Sequence, residues 1–235
     1  MIDETDLSQE KKSLYEQRAE MTVANLQKKN ICAQYVSTRP EALATVLGMI
    51  PPAATVARGD SVTVDQIGII PELRKRGQTV IYPIERNADG SLAFSREERT
   101  KVAREAFAAN IFLVGTNAVT LDGKLVNVDA WGNRVAAMIF GPEKVIVIAG
   151  VNKIVKDVDE ALERLRNFAA PMNAKRHYLK HHQTEFGELP CVRTGNCINC
   201  NHDWRICRFT VIIEGIAARD RGRINMVLVG EELGI

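Results

Sequence analysis

Apolar residues recur along this chain in two rhythms. Over residues 8–29, Leu7, Leu14 and Met21 lie seven apart, with Tyr15 and Leu26 beside them among charged positions. That spacing predicts an amphipathic helix opening at Ser8 and packing this stripe on a core. A shorter helix is expected over 41–49, ended by Pro51-Pro52. Residues 54–57 read as a strand, and RGDSVTVDQIGIIPELRKRG continues as tight loop and helix, with Thr63 and Gln66 at capping-box spacing. A strand follows at 79–82, and Ser95 with Glu98 opens a helix reaching about residue 109.

The second rhythm is the unbroken apolar run. IFLV (111–114) and VIVIA (145–149) lack polar alternation, as expected of parallel strands buried on both faces. Asp122-Gly123 sits between 119–121 and 125–126, which predicts a hairpin with a type I′ turn. A small helix is expected after Arg134. Asp157 should cap a helix whose face carries Val158, Ala161, Leu162, Leu165 and Phe168, and 224–229 is the last strand-like run. Strands alternating with helices predict one α/β domain over 1–235, with a mainly parallel sheet and flanking helices.

Composition changes this picture little. The 235 residues are 46% hydrophobic and 26% charged, ordinary values for a chain with a sizeable core. A net charge of +2 argues against a nucleic-acid partner. The start, MIDETDLSQEKK, is polar and acidic, and the run at 145–151 is far too short to span a bilayer. A cytoplasmic location is the expectation, and there thiols stay reduced.

The cysteines matter because of that. Cys191, Cys197, Cys200 and Cys207 fall within CVRTGNCINCNHDWRIC, in a C-x5-C-x2-C-x6-C spacing. A two-residue gap lets a tight turn aim two sulfurs at one metal, so residues 186–210 read as a Cys-rich metal-binding insertion. Four thiolates suit an iron–sulfur cluster, used for electron transfer, or a structural zinc, and the spacing does not choose between them. His177 and His181 would share a helix face nearby, with His182 and His202 in the same region. Cys32, between Ile31 and Ala33, reads as a small packed residue.

A second site is expected beyond the carboxyl ends of the strands, where open α/β sheets bind ligands. Asp60, Ser61 and Thr63 follow one strand, Gly115 and Asn117 another, and Asn152 and Lys153 a third. Asn127, Asn133 and Arg134 lie close in sequence to the hairpin. Amides and hydroxyls would position a small organic anion that Arg134 and Lys153 neutralise. The same residues also read as helix caps and turn formers, with Arg134 paired to Asp129. No G-x-S-x-G, HExxH or Walker loop occurs.

Three longer stretches resemble the lactate-utilisation, or LUD-domain, family. They are VGTNAVTLDGKLVNVDAWGNRVAAMIFGPEKVIVIAGVNKIV (114–155), AAPMNAKR (169–176) and INMVLVGEELG near the C-terminus, together with the cysteine segment ending RIC (205–207). The resemblance implies a fold like that of ribose-5-phosphate isomerase and the CoA transferases. It also implies a role around bacterial oxidation of lactate to pyruvate, beside iron–sulfur partner proteins. The chain departs from the family at Arg58-Gly59-Asp60-Ser61, where relatives tend to carry a glycine-rich loop. Three functions are compatible with these residues: a redox accessory protein, a binding or assembly protein braced by zinc, and an isomerase- or transferase-like enzyme. A homo-oligomer is compatible with each.

Overall fold

The structure is a computed structural model that describes residues 4–235. In chain order the strands are β1 (Cys32–Val36), β2 (Val56–Arg58), β3 (Val80–Ile81), β4 (Ile111–Gly115), β5 (Ala118–Thr120), β6 (Leu125–Asp129), β7 (Lys144–Gly150), β8 (Ile154–Val155), β9 (Phe209–Ile213) and β10 (Ile224–Val229). The helices are α1 (Ser8–Lys28), α2 (Arg39–Gly48), α3 (Val62–Gln66), α4 (Ile69–Lys75), α5 (Arg96–Glu105), α6 (Asn133–Ile139), α7 (Val158–Arg164), α8 (Ala170–His181) and α9 (Pro190–Thr194). No helix among the described residues is long and apolar enough to cross a membrane.

Six strands form a parallel sheet in the order β1-β10-β7-β4-β2-β3. Its central strands are buried on both sides, as their unbroken apolar runs predict. Val145, Val147 and Ala149 of β7 pack with α1, and Ile146 and Ile148 pack with α2, α3 and α4. The mainly parallel α/β architecture therefore follows from the runs themselves. A second, smaller sheet has the order β8-β5-β6-β9, with β5–β6 and β6–β9 antiparallel.

Several local expectations need correcting. On α1 the buried residues are Ala19, Thr22 and Leu26, with Tyr15 and Val23 packed beside them. Leu7, Leu14 and Met21 are exposed. The helix does open at Ser8, whose N–H donates to Asp6 Oδ1 just ahead of it. The cap at the β2–α3 junction is Ser61, which accepts from the Val64 N–H at 3.3 Å; Thr63 is turned to another partner. Gly68, at φ 74°, splits the expected helix into α3 and α4. The Ser95–Glu98 and Asp157 caps form as expected.

At the β5–β6 connection only Gly123 of the loop has positive φ, so the turn is not type I′, which needs it at both central residues. The loop tip touches α1: a Cβ on Gly123 would fall 2.7 Å from the Leu26 nitrogen. Cys32 is exposed on the edge strand β1 and not packed. β1 and β9 are strands that the apolar pattern misses, because both alternate weakly and lie at sheet edges.

Candidate functional site

The strand order reverses beside β2. From β2 the chain moves outward to β3, then returns to β4 on the other side and continues through β7 to β10. Loops leaving the carboxyl ends of β2 and β4 diverge there, the position where such sheets leave a crevice. A cavity of about 260 Å³ occupies it. Residues 58–62 at the end of β2, 115–117 at the end of β4, and Lys153 after β7 line it, with Tyr82, Asn133, Arg134, Asn173, Arg176, His177 and Ile206.

Of the expected anion-site residues, Asp60, Ser61, Gly115, Asn117, Asn133, Arg134 and Lys153 come together on this cavity. Thr63 and Asn127 stand behind it and hold Lys153 and Arg134. Asn152 is directed elsewhere, its Oδ1 accepting from the Leu233 N–H at 3.0 Å.

Asp60 is the centre of one charged cluster. Arg176 Nη2 donates to its Oδ2, His177 Nε2 lies 3.8 Å from the same oxygen, and the Tyr82 hydroxyl donates to Oδ1 at 3.3 Å. Burial acts to raise the Asp60 carboxyl, but Arg176, then His177 and Arg58, outweigh it and hold it below the usual range. Burial and then the Asp60 charge raise Tyr82, so it remains a phenol and a donor. Arg58 lies over the Tyr82 ring at 4.3 Å and pairs with Asp65.

Arg134 is fully engaged within the protein. Nη1 donates to Asn127 Oδ1 at 2.9 Å and the Gly115 carbonyl at 3.3 Å. Nη2 donates to Asn117 Oδ1 at 3.1 Å and the Val128 carbonyl at 2.7 Å, and Nε faces Asp129 at 3.4 Å. Both Nη nitrogens of the guanidinium thus donate within the protein, and Nε faces a carboxylate. Arg134 therefore ties the β4–β5 loop to β6.

Lys153 differs. It is 3% exposed, and its Nζ donates to Thr63 Oγ1 at 3.0 Å. The cavity arginines are matched by Asp65, Asp129 and Asp60, whereas no carboxylate among the described residues pairs with Lys153. Burial first, then the Arg164 and Arg134 charges, push its ammonium from the ordinary 10.5 down to about 7.

The family comparison matches residues 19–229 to the LUD domain. The chain belongs to the LUD domain family. A solved DUF162 family protein from Deinococcus radiodurans is similar over 93% of this chain and 97% of its own, at 14% identity and TM-score 0.48. Two solved proteins from Chaetomium thermophilum are similar over about half of this chain. eIF2B delta aligns over 53% of this chain and 50% of its own, at 19% identity and TM-score 0.32. eIF2B beta aligns over 52% and 44%, at 13% identity and TM-score 0.36. No curated protein matches.

In this LUD domain the cysteine segment packs on α8. Cys191, Val192 and Ile206 cover Ala174, Phe186 and Leu189, and Ile206 also reaches the cavity wall. The four thiols share one neighbourhood. Burial raises the Cys191 thiol first, and the fields of Cys200, Cys207 and Cys197 raise it further. Two sulfurs already accept N–H groups: Cys207 from Arg205 Nε at 3.2 Å and Cys197 from the Asn199 amide at 3.5 Å. Among the described residues no three His, Cys, Asp or Glu side chains form a group arranged to hold a metal ion. The donor types fit a thiolate-held centre, and the loop would have to tighten to bring the sulfurs onto one.

The histidines divide. His177 stacks on Phe186 with centroids 5.1 Å apart, and its Nδ1 lies 3.3 Å from His181 Nδ1. Burial lowers both; His181, with Arg176 and His177 adding to the effect, falls to about 4. Arg58, Tyr82, Asn173, Arg176 and His177 are cavity residues not expected at the anion site. The stretch 169–176 could have pointed to Asn173 and Arg176, which it contains.

Proposed function

We propose that this LUD domain has a lactate-utilisation-related role, binding a small organic anion at Lys153 beside an iron–sulfur cluster on the cysteine segment. The observation that carries the reading is the charge pattern of the cavity. Among the described residues, three cavity arginines are matched by carboxylates and the buried Lys153 is not. An entering carboxylate supplies the counter-charge that the site lacks, in a setting dry enough to make the pair count. Ser61, Asn173 and Arg176 line the same space and offer polar contacts. The cavity is smaller than the roughly 300–1,000 Å³ usual for drug-sized ligands, which favours an acid of a few heavy atoms.

Cys191, Cys197, Cys200 and Cys207 would hold the cluster, with Arg205 and the Asn199 amide donating to sulfur. Such a cluster supplies one-electron transfer when bound. Ile206 joins the two sites, since it neighbours Cys207 in sequence and lines the cavity. Iron–sulfur proteins of lactate oxidation are the partners this reading calls for.

Thermal unfolding with lactate, pyruvate or lactamide tests the anion site. Both acids should raise Tm as their concentration rises, by mass action on the folded state. The uncharged lactamide should not, and Lys153→Met should abolish the response. A wild-type protein whose Tm ignores both acids through the millimolar range would refute it.

A further inference from the structure

We propose that Lys153 is a carbonyl-condensing amine, whose Nζ forms an imine with the carbonyl carbon of a small 2-oxo acid held in the cavity. This rests on the anion-binding reading and adds a covalent step to it.

The geometry is that of a nucleophile more than of a structural cation. A structural lysine in a protein interior is normally matched by a carboxylate. Lys153 faces instead a neutral hydroxyl, Thr63 Oγ1, and two further cations, Arg134 and Arg164. Thr63 is fully buried and sits in the first turn of α3, so it can hold the amine in one orientation. The wall beside the amine is cleared of side chain. At Gly234 a Cβ would fall 2.7 Å from Nζ. That backbone is itself pinned, the Gly234 N–H to Gln66 Oε1 at 2.6 Å and the Leu233 N–H to Asn152 Oδ1 at 3.0 Å. Asn152 and Gln66 thereby acquire a role: they hold the chain close to Lys153 without crowding it.

Only a neutral amine attacks a carbonyl. Desolvation and neighbouring cations are the means by which proteins keep a lysine neutral near pH 7, and both act on Lys153. An acid that enters as counter-charge to the ammonium would settle its carboxylate on Asn173, Ser61 and Arg176, which line the same cavity, once Nζ gives up its proton, and this leaves the carbonyl for the neutral amine. The nitrogen lone pair forms the C–N bond, and a carbinolamine results. Both amine protons then leave with the former carbonyl oxygen as water, giving the imine, which takes up a proton to become an iminium.

Reductive trapping tests this. The protein is incubated near pH 7 with pyruvate and cyanoborohydride, whose hydride adds to the iminium carbon and fixes a secondary amine. Peptide mapping by mass spectrometry then locates the adduct, and the pyruvate-induced Tm shift is measured on the same preparation. The expected result is a reduced adduct concentrated on Lys153, suppressed by excess lactate, which has no carbonyl to condense. Lys153→Arg keeps the charge and should lose the adduct. Should that variant fail to fold, the wild-type map still decides. A Tm shift without an adduct at Lys153 overturns the imine and leaves the anion site standing. Absence of both overturns the two together. Label spread over surface lysines and indifferent to lactate overturns the imine.

Discussion

Lys153 gives the protein a pH dependence that can be traced to one atom. Its ammonium sheds a proton near 7 in the folded protein and at its ordinary 10.5 in the unfolded chain. Between those values the unfolded chain binds the extra proton, so this group makes stability rise with pH across the window. Below about 7 both states are protonated and the full cost of a buried, unmatched charge is present. Lys153→Met should therefore flatten the gain in unfolding free energy between pH 7 and pH 10, read from denaturant titrations of both proteins. An unchanged slope would mean that the amine keeps its proton. At this scale the sequence named the residues better than their jobs. Lys153 and Arg134 are both basic residues following glycine-containing turns, and the chain sets them apart only by offering Asp129 as a near neighbour of Arg134. What separates them is that Arg134 spends its donors on Asn117, Asn127, Asp129 and two carbonyls brought in from β4 and β6, a tertiary fact. Ser61 and Thr63 likewise exchange roles, because Lys153 claims the Thr63 hydroxyl and leaves Ser61 to cap α3.

Among the elements, α1 shows how side-chain size misleads a periodicity reading. Leu7, Leu14 and Met21 form the more apolar stripe, yet Tyr15, Ala19, Thr22, Val23 and Leu26 form the packed one. Small residues let the helix approach the sheet closely, and smallness is weighted lightly when apolar positions are counted. The two faces make opposite predictions. Leu14, 54% exposed, should accept glutamate within about 0.5 kcal/mol. Ala19 is wholly buried against the sheet, and glutamate there should cost roughly 3 kcal/mol or more through overpacking and an unpaired charge. Unfolding midpoints of Leu14→Glu and Ala19→Glu decide it, and equal losses would contradict the assignment of faces. The wide π turn over Leu165–Ala169, between α7 and α8, is a second feature hidden from the sequence. It ends the stripe that begins at Val158, leaves Phe168 46% exposed, and resets the phase so that Ala169, Asn173, Arg176 and His177 face the cavity. Hydrogen-bond register of this kind leaves no mark in hydrophobic spacing.

The whole molecule brings together features that lie far apart in the chain. The parallel sheet was legible in its apolar runs, and so was a crevice at its carboxyl edge. The strand order that puts β2 beside β4, and the placement of α8 that brings Arg176 to Asp60, depend on crossovers that carry no local signature. The cysteine segment follows the same division: its thiol spacing is plain in sequence, while its docking on α8 beside the cavity is not. That docking gives the metal question a whole-protein test. If the four sulfurs hold one cluster, oxygen-free preparations should be brown and contain iron with inorganic sulfide. Serine at Cys191, Cys197, Cys200 or Cys207 should each remove the colour, because a cluster ligated by four thiolates tolerates the loss of one poorly. Cys32→Ser is the internal control, since that thiol is exposed on the far edge strand β1 and should leave iron content unchanged. Colourless protein with stoichiometric zinc would retain the four thiolates as a brace and end their part in electron transfer. In that case a chelator should lower Tm, as metal binding and folding share one free energy. Reconstitution that loads neither metal would remove the cysteine segment from the function and leave the Lys153 cavity to carry it.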